Sequence, residues 1–125
     1  MPDRSYLDWP FFTDAHRALA AELERFAAAE FDHHDDSVDV FEFARGAVRR
    51  LGEAGFLKLT VPAEAGGRHE RLDVRSLCLA RELLAYRHGI ADFAFVMQGL
   101  GSGPIALFGT PEQKARYLPP LIEGR

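Results

Sequence analysis

Residues 39–67 read DVFEFARGAVRRLGEAGFLKLTVPAEAGG. Asp39 followed by Glu42 has the spacing of a capping box with Asp in place of the usual Ser or Thr. Val40, Phe43, Ala44, Ala47, Val48 and Leu51 then recur at helical spacing as a wide apolar stripe. Gly55 is placed to end this helix in the left-handed conformation, which a residue without Cβ reaches at little cost. Residues 57–61 are expected to be extended up to Pro62, which disfavours helical geometry in the residue before it, and Gly66-Gly67 reads as a turn.

Upstream, Thr13 or Asp14 can cap a first helix bearing Ala15, Leu19, Leu23 and Phe26, ending near Phe31 where residues 32–39 form a polar connection. Downstream, Asp73 can cap a third helix carrying Val74, Leu77, Leu79, Leu83 and Leu84 and stopping near Gly89. A fourth segment, Ile90 to Leu100, has Phe93, Val96, Met97 and Leu100 on one face and Ala91, Ala94 and Phe95 on another. Such a helix is apolar on nearly all sides and is expected in the interior. After a tight Gly99–Gly103 turn come a short helix from Pro104 and another opening on Thr110-Pro111-Glu112-Gln113, which combines an N-cap, Pro at N1 and a capping box. The expectation is an all-α bundle of about five to six helices with one brief extended element. Residues 1–12 form an N-terminal extension and 13–125 the helical domain.

At 125 residues and 47% hydrophobic content the chain can build one core and not two. Its 15 basic residues fall short of 19 acidic ones, giving a formal charge of -4 without a dense Lys/Arg stripe, so nucleic acid is not an expected partner. A single cysteine, Cys78, cannot form an internal disulfide and stands among leucines as a small apolar side chain would. A reducing, cytoplasmic compartment fits. The first ten residues lack the apolar run of a secretory signal, and Asp92, Gln98, the glycines and Pro104 interrupt the least polar stretch, so no membrane span is expected.

No catalytic motif emerges. Gly99-Leu100-Gly101-Ser102-Gly103 lacks the spacing of a dinucleotide or P-loop and lacks the glycines a nucleophile elbow needs around Ser102. His33, His34, Asp35 and Asp36 are adjacent and seldom able to face one ion, so a solvated linker is preferred to a metal site. Glu53, Glu64 and Glu82 each lack a visible partner, and His16, His69 and His88 are isolated in sequence.

Two blocks carry a resemblance. Gly55 to Gly67 resembles the "G-hydrophobic-x-x-hydrophobic-x-V-P-x-E-x-G-G" segment of acyl-CoA dehydrogenases. Pro104-Ile105, Phe108 to Lys114 and Tyr117-Leu118-Pro119 resemble that family's "P-I…G-T-x-x-Q-K…Y-L-P" stretch. The order and separation agree, and the helix from Thr13 and Arg81-Glu82-Leu83-Leu84 extend the likeness over nearly the whole chain. Arg68-His69-Glu70-Arg71 departs from it, replacing smaller and more apolar residues after the Gly-Gly turn.

The resemblance implies the amino-terminal helical domain of a flavoprotein whose middle β-domain and carboxy-terminal helical bundle complete the subunit. That enzyme is an oxidoreductase in which FAD and a catalytic glutamate oxidise the Cα-Cβ bond of an acyl-CoA or acyl-carrier-protein thioester. The flavin motifs and the base have no counterpart in these residues, so no catalytic residue carries over, and the chain alone is expected to be inactive and not to retain FAD. The implied partners are the missing domains or a split subunit, in a homo-oligomer. Phe93, Val96, Met97 and Leu100 are the candidates for the far end of the acyl pocket, the alternative being ordinary core. A different class of function, a non-enzymatic helical interaction module, also fits a chain without the catalytic parts.

Overall fold

The computed structural model describes residues 3–32 and 37–125. Among the described residues are five α-helices, α1 (Asp14–Phe31), α2 (Val40–Glu53), α3 (Val74–Arg87), α4 (Gly89–Phe108) and α5 (Pro111–Ile122), with 3₁₀ turns at Ser5–Asp8 before α1 and at Phe56–Thr60 and Ala63–Ala65 between α2 and α3. The expected all-α architecture is observed. Its helix starts follow the expected chemistry: the Asp39 carboxylate accepts from the amides of Phe41 and Glu42, and Asp73 accepts from Ser76. Thr110 and Gln113 exchange the two hydrogen bonds of a capping box.

α1, α2, α3 and the first half of α4 enclose the main core, in which Leu23, Phe31, Leu51, Leu57, Leu84 and Phe95 are almost completely buried. A smaller cluster of Val61, Ala106, Leu118 and Ile122 lies between the second half of α4, α5 and the Gly55–Gly67 segment.

Two local expectations are corrected. The segment over 57–61 is not extended: Phe56–Thr60 makes a 3₁₀ turn, and only Val61 takes an extended conformation before Pro62. The turn lets Phe56, Leu57, Leu59 and Thr60 all be buried, where strict alternation would have left half of them in water. Gly99–Gly103 is not a turn, and no separate helix begins at Pro104; both lie inside the continuous α4. Proline disfavours helix in its predecessor through contact with that residue's Cβ, and the predecessor here is Gly103, which has none. Ser102 is fully buried in the same turn, its hydroxyl 3.3 Å from the carbonyls of Thr60 and Gly99.

The Gly66-Gly67 expectation holds, and its reason is steric. Gly66 sits at φ 89°, and a Cβ on Gly67 would overlap the Val61 carbonyl oxygen. The loop closes on itself through Gly67 N–H to Pro62 O at 3.0 Å, Ala63 N–H to His69 O at 2.8 Å and Arg68 N–H to Lys58 O at 2.8 Å. Gly55 likewise adopts the left-handed conformation at φ 80°.

Surface and core are also partly exchanged relative to expectation. His16 rather than Ala15 continues the buried stripe of α1, Cys78 is exposed on α3, and Val40 and Val74, at the first turns of their helices, are exposed at 55% and 67%. Both are the first residue of their helix and point away from the core, whereas the first-turn residues His16 and Ser76 point into it.

Two glycines give a paired test. A Cβ on Gly52 would come within 2.5 Å of the Glu123 and Gly124 backbone where α5 ends against α2, whereas one on Gly101 would meet nothing within 4 Å. Urea denaturation should show Gly52→Ala destabilised by about 2 kcal/mol through overpacking. Gly101→Ala should be stabilised by about 1 kcal/mol through helix propensity. Equal effects would contradict the packing described for both helices.

Candidate functional site

α4 has 20 residues and is thus about 30 Å long. Ala91, Ala94, Phe95, Ser102 and Ala106 are its buried residues. The opposite side is open: Phe93 is 57% exposed, Met97 44%, Leu100 63% and Leu107 65%, while Val96 is half-buried. The expectation that this helix lies in the interior is therefore overturned. Its apolar residues exceed what α2, α3 and α5 can cover, because those helices pack along the Ala91/Ala94/Phe95 side. Within this chain, ordinary core does not describe Phe93, Met97 or Leu100.

Phe93 and Met97 form one wall of a groove of about 590 Å³ whose other wall is α2, with Phe41, Ala44, Arg45, Val48 and Arg49. Val96 and Leu100 share their helix but do not line this groove. The α2 wall was missed in the sequence because Phe41 falls outside the stripe that faces the core. The signal was available, since Phe41, Arg45 and Arg49 repeat at intervals of four and mark a second face of the same helix.

Elsewhere the polar groups are structural. His16 Nε2 lies 2.7 Å from Asp73 Oδ2, so the histidine that looked isolated has a partner 57 residues away. Its Nδ1 accepts the Thr13 backbone N–H at 3.0 Å, which fixes the Nε2–H tautomer as the donor to Asp73. Ser76 Oγ donates to the same Asp73 oxygen at 2.6 Å. Because the carboxylate stands between Ser76 and His16, no base is positioned to take the serine proton, and the trio joins the starts of α1 and α3 instead of activating a nucleophile. Partial burial pushes the Asp73 carboxyl up, but hydrogen bonds from Ser76, His16 and Arg75 outweigh it and hold it well below the usual carboxylate range.

Glu64 is exposed beside Lys114 at 3.4 Å, and Glu53 and Glu82 are also exposed. Arg68, in the departing loop, pairs with Glu22 at 2.7 Å. Among the described residues no group of three His, Cys, Asp or Glu could hold a metal; His33, His34, Asp35 and Asp36 lie outside the described residues. The glycine-rich stretch of α4 is helical, so its amides do not form a phosphate cradle. By length and composition α4 could also cross a membrane, but here it packs within the bundle against α2, α3 and α5.

The family model "Acyl-CoA dehydrogenase, N-terminal domain" matches residues 13–125. The chain belongs to the acyl-CoA dehydrogenase family. Similar proteins include a probable acyl-CoA dehydrogenase of Bacillus subtilis, 34% identical over 116 residues that make up 90% of this chain and 19% of that protein. A 3-(aryl)acrylate reductase of Clostridium sporogenes is 32% identical over 91% of this chain and 30% of its own length. The mitochondrial short-chain specific acyl-CoA dehydrogenase of Bos taurus is 30% identical over 89% of this chain and 27% of its own. This acyl-CoA dehydrogenase domain thus spans between about a fifth and a third of the relatives it matches.

The His16–Asp73 link has a defined pH signature. A depressed carboxyl contributes stability above the unfolded value near pH 4 and loses it as pH falls toward the folded value. Asp73→Asn should therefore cost about 1–2 kcal/mol at pH 7 and progressively less below pH 4. Urea titrations of both proteins across that range check it, and a gap independent of pH would contradict the assignment.

Proposed function

We propose that this domain forms one wall of the acyl cleft of an FAD-dependent acyl-thioester dehydrogenase, with Phe93, Val96, Met97 and Leu100 bordering the acyl chain. The observation that carries the reading is the open apolar face of α4 in a domain of this family: Phe93, Met97 and Leu100 are exposed together on a helix whose other face is core. Bound FAD supplies the redox chemistry of the Cα-Cβ bond. The residues of this chain contribute shape, apolar contact and exclusion of water. The partners are an acyl-CoA or acyl-carrier-protein thioester and the β- and carboxy-terminal helical domains, in a cytoplasmic homo-oligomer. The catalytic base belongs to those other domains.

Phe93 is the bulkiest of the four and, on this reading, shortens the cleft. In the complete enzyme, Phe93→Ala should shift kcat/KM toward longer acyl thioesters, by up to about fourfold for each methylene newly accommodated. The check is a chain-length series measured on wild type and variant. An unchanged profile in a variant that still folds would remove Phe93 from the pocket.

A further inference from the structure

The groove between α2 and α4 is lined by apolar side chains and by arginines. Phe41, Ala44, Val48, Phe93, Ala94 and Met97 supply its apolar lining, Arg45, Arg49 and Arg125 its charged lining, and no Asp or Glu lines it. That absence is notable in a chain with 19 acidic and 15 basic residues. Arg125 is paired with Glu123. Arg45 and Arg49 are one helical turn apart on the solvent side of α2 and form no ion pair or hydrogen bond with any described residue. They also border a second groove that holds Glu30, Asp39 and Glu42, yet neither arginine is within ion-pair distance of these carboxylates; Arg50, the next residue, takes Glu30 at 3.7 Å.

Two guanidiniums without an ion-pair partner among the described residues, beside exposed aromatic and thioether side chains, are suited to a ligand with an apolar body and an anionic end, since a planar guanidinium binds carboxylate in bidentate fashion while its stem lies on apolar surface. We propose that Arg45 and Arg49 receive a carboxylate at the end of the acyl chain remote from the thioester, so that the preferred substrates are monothioesters of dicarboxylic acids. This rests on the reading that Phe93 and Met97 border the acyl chain: a chain lying along those two residues has α2 as its facing wall, and the charged α2 residues that line the groove are Arg45 and Arg49.

The test uses this chain and two N-acetylcysteamine thioesters of equal length, octanoyl and 7-carboxyheptanoyl, titrated at low ionic strength and followed by amide and methyl chemical shifts. The carboxylated probe should bind at least about tenfold more tightly. Its shifts should centre on Phe93, Met97, Arg45 and Arg49, and the preference should disappear in the R45Q/R49Q double variant, whose spectrum should otherwise remain that of the folded protein. Phe93→Ala should weaken both probes alike. Equal affinities, or a preference that survives in the double variant, would overturn the charged end and leave the acyl wall standing. Absence of shifts at Phe93 and Met97 with either probe would overturn this proposal, while the acyl wall, which needs the other domains, is tested separately by the chain-length series in the complete enzyme.

Discussion

Continuity of α4 through Pro104 is the constraint on which the rest of the structure depends. The first half of the helix supplies Ala91, Ala94 and Phe95 to the main core, and the second half supplies Ala106 to the cluster with Val61, Leu118 and Ile122. Were the helix broken at the glycines, the two clusters would lose the element they share and the open apolar face would lose its straight edge. Gly103 before Pro104, and the buried Ser102 hydroxyl reaching the Thr60 and Gly99 carbonyls, reconcile proline with a helix interior.

The glycines divide into two physical kinds. Gly52, Gly67 and Gly124 are places where another backbone passes too close for a Cβ. Gly52 and Gly124 let the end of α5 pack against α2, and Gly67 lets the Gly55–Gly67 loop close on itself. Gly101 and Gly103 have open space beside them. Each weakens the helix by roughly 1 kcal/mol relative to alanine; Gly103 offsets this by admitting Pro104, whereas Gly101 meets no neighbour that requires it. Both stand on α4 next to the exposed Leu100, so the low relief of the helix surface belongs to the same open face as the acyl wall.

Much of the fold was legible in the sequence because caps and glycine terminators act locally. Thr13, Asp39, Asp73 and Thr110 start helices where their side chains indicate, and Gly55 adopts the expected left-handed conformation. What was not legible depended on distant partners. The His16–Asp73 contact joins residues 57 apart, and the 3₁₀ turn at Phe56–Thr60 answers to burial on several sides at once. How much of α4 stays open, and on which face, depended on its neighbours in the same way: composition measures how much apolar surface a helix has, and not how much of it they cover. Helical spacing put the four pocket candidates on one face and the family resemblance gave them their role, whereas the facing wall of Phe41, Arg45 and Arg49 required the position of α2.

The central claim is that the open face of α4 borders an acyl chain. The most direct measurement is photoaffinity labelling of the complete enzyme with a CoA thioester carrying a diazirine near the far end of its acyl chain, followed by peptide mapping of the adducts. The account predicts labels on α4 between Phe93 and Leu100 that are competed away by unlabelled thioester. Saturable labelling confined to other elements, with α4 untouched, would contradict it.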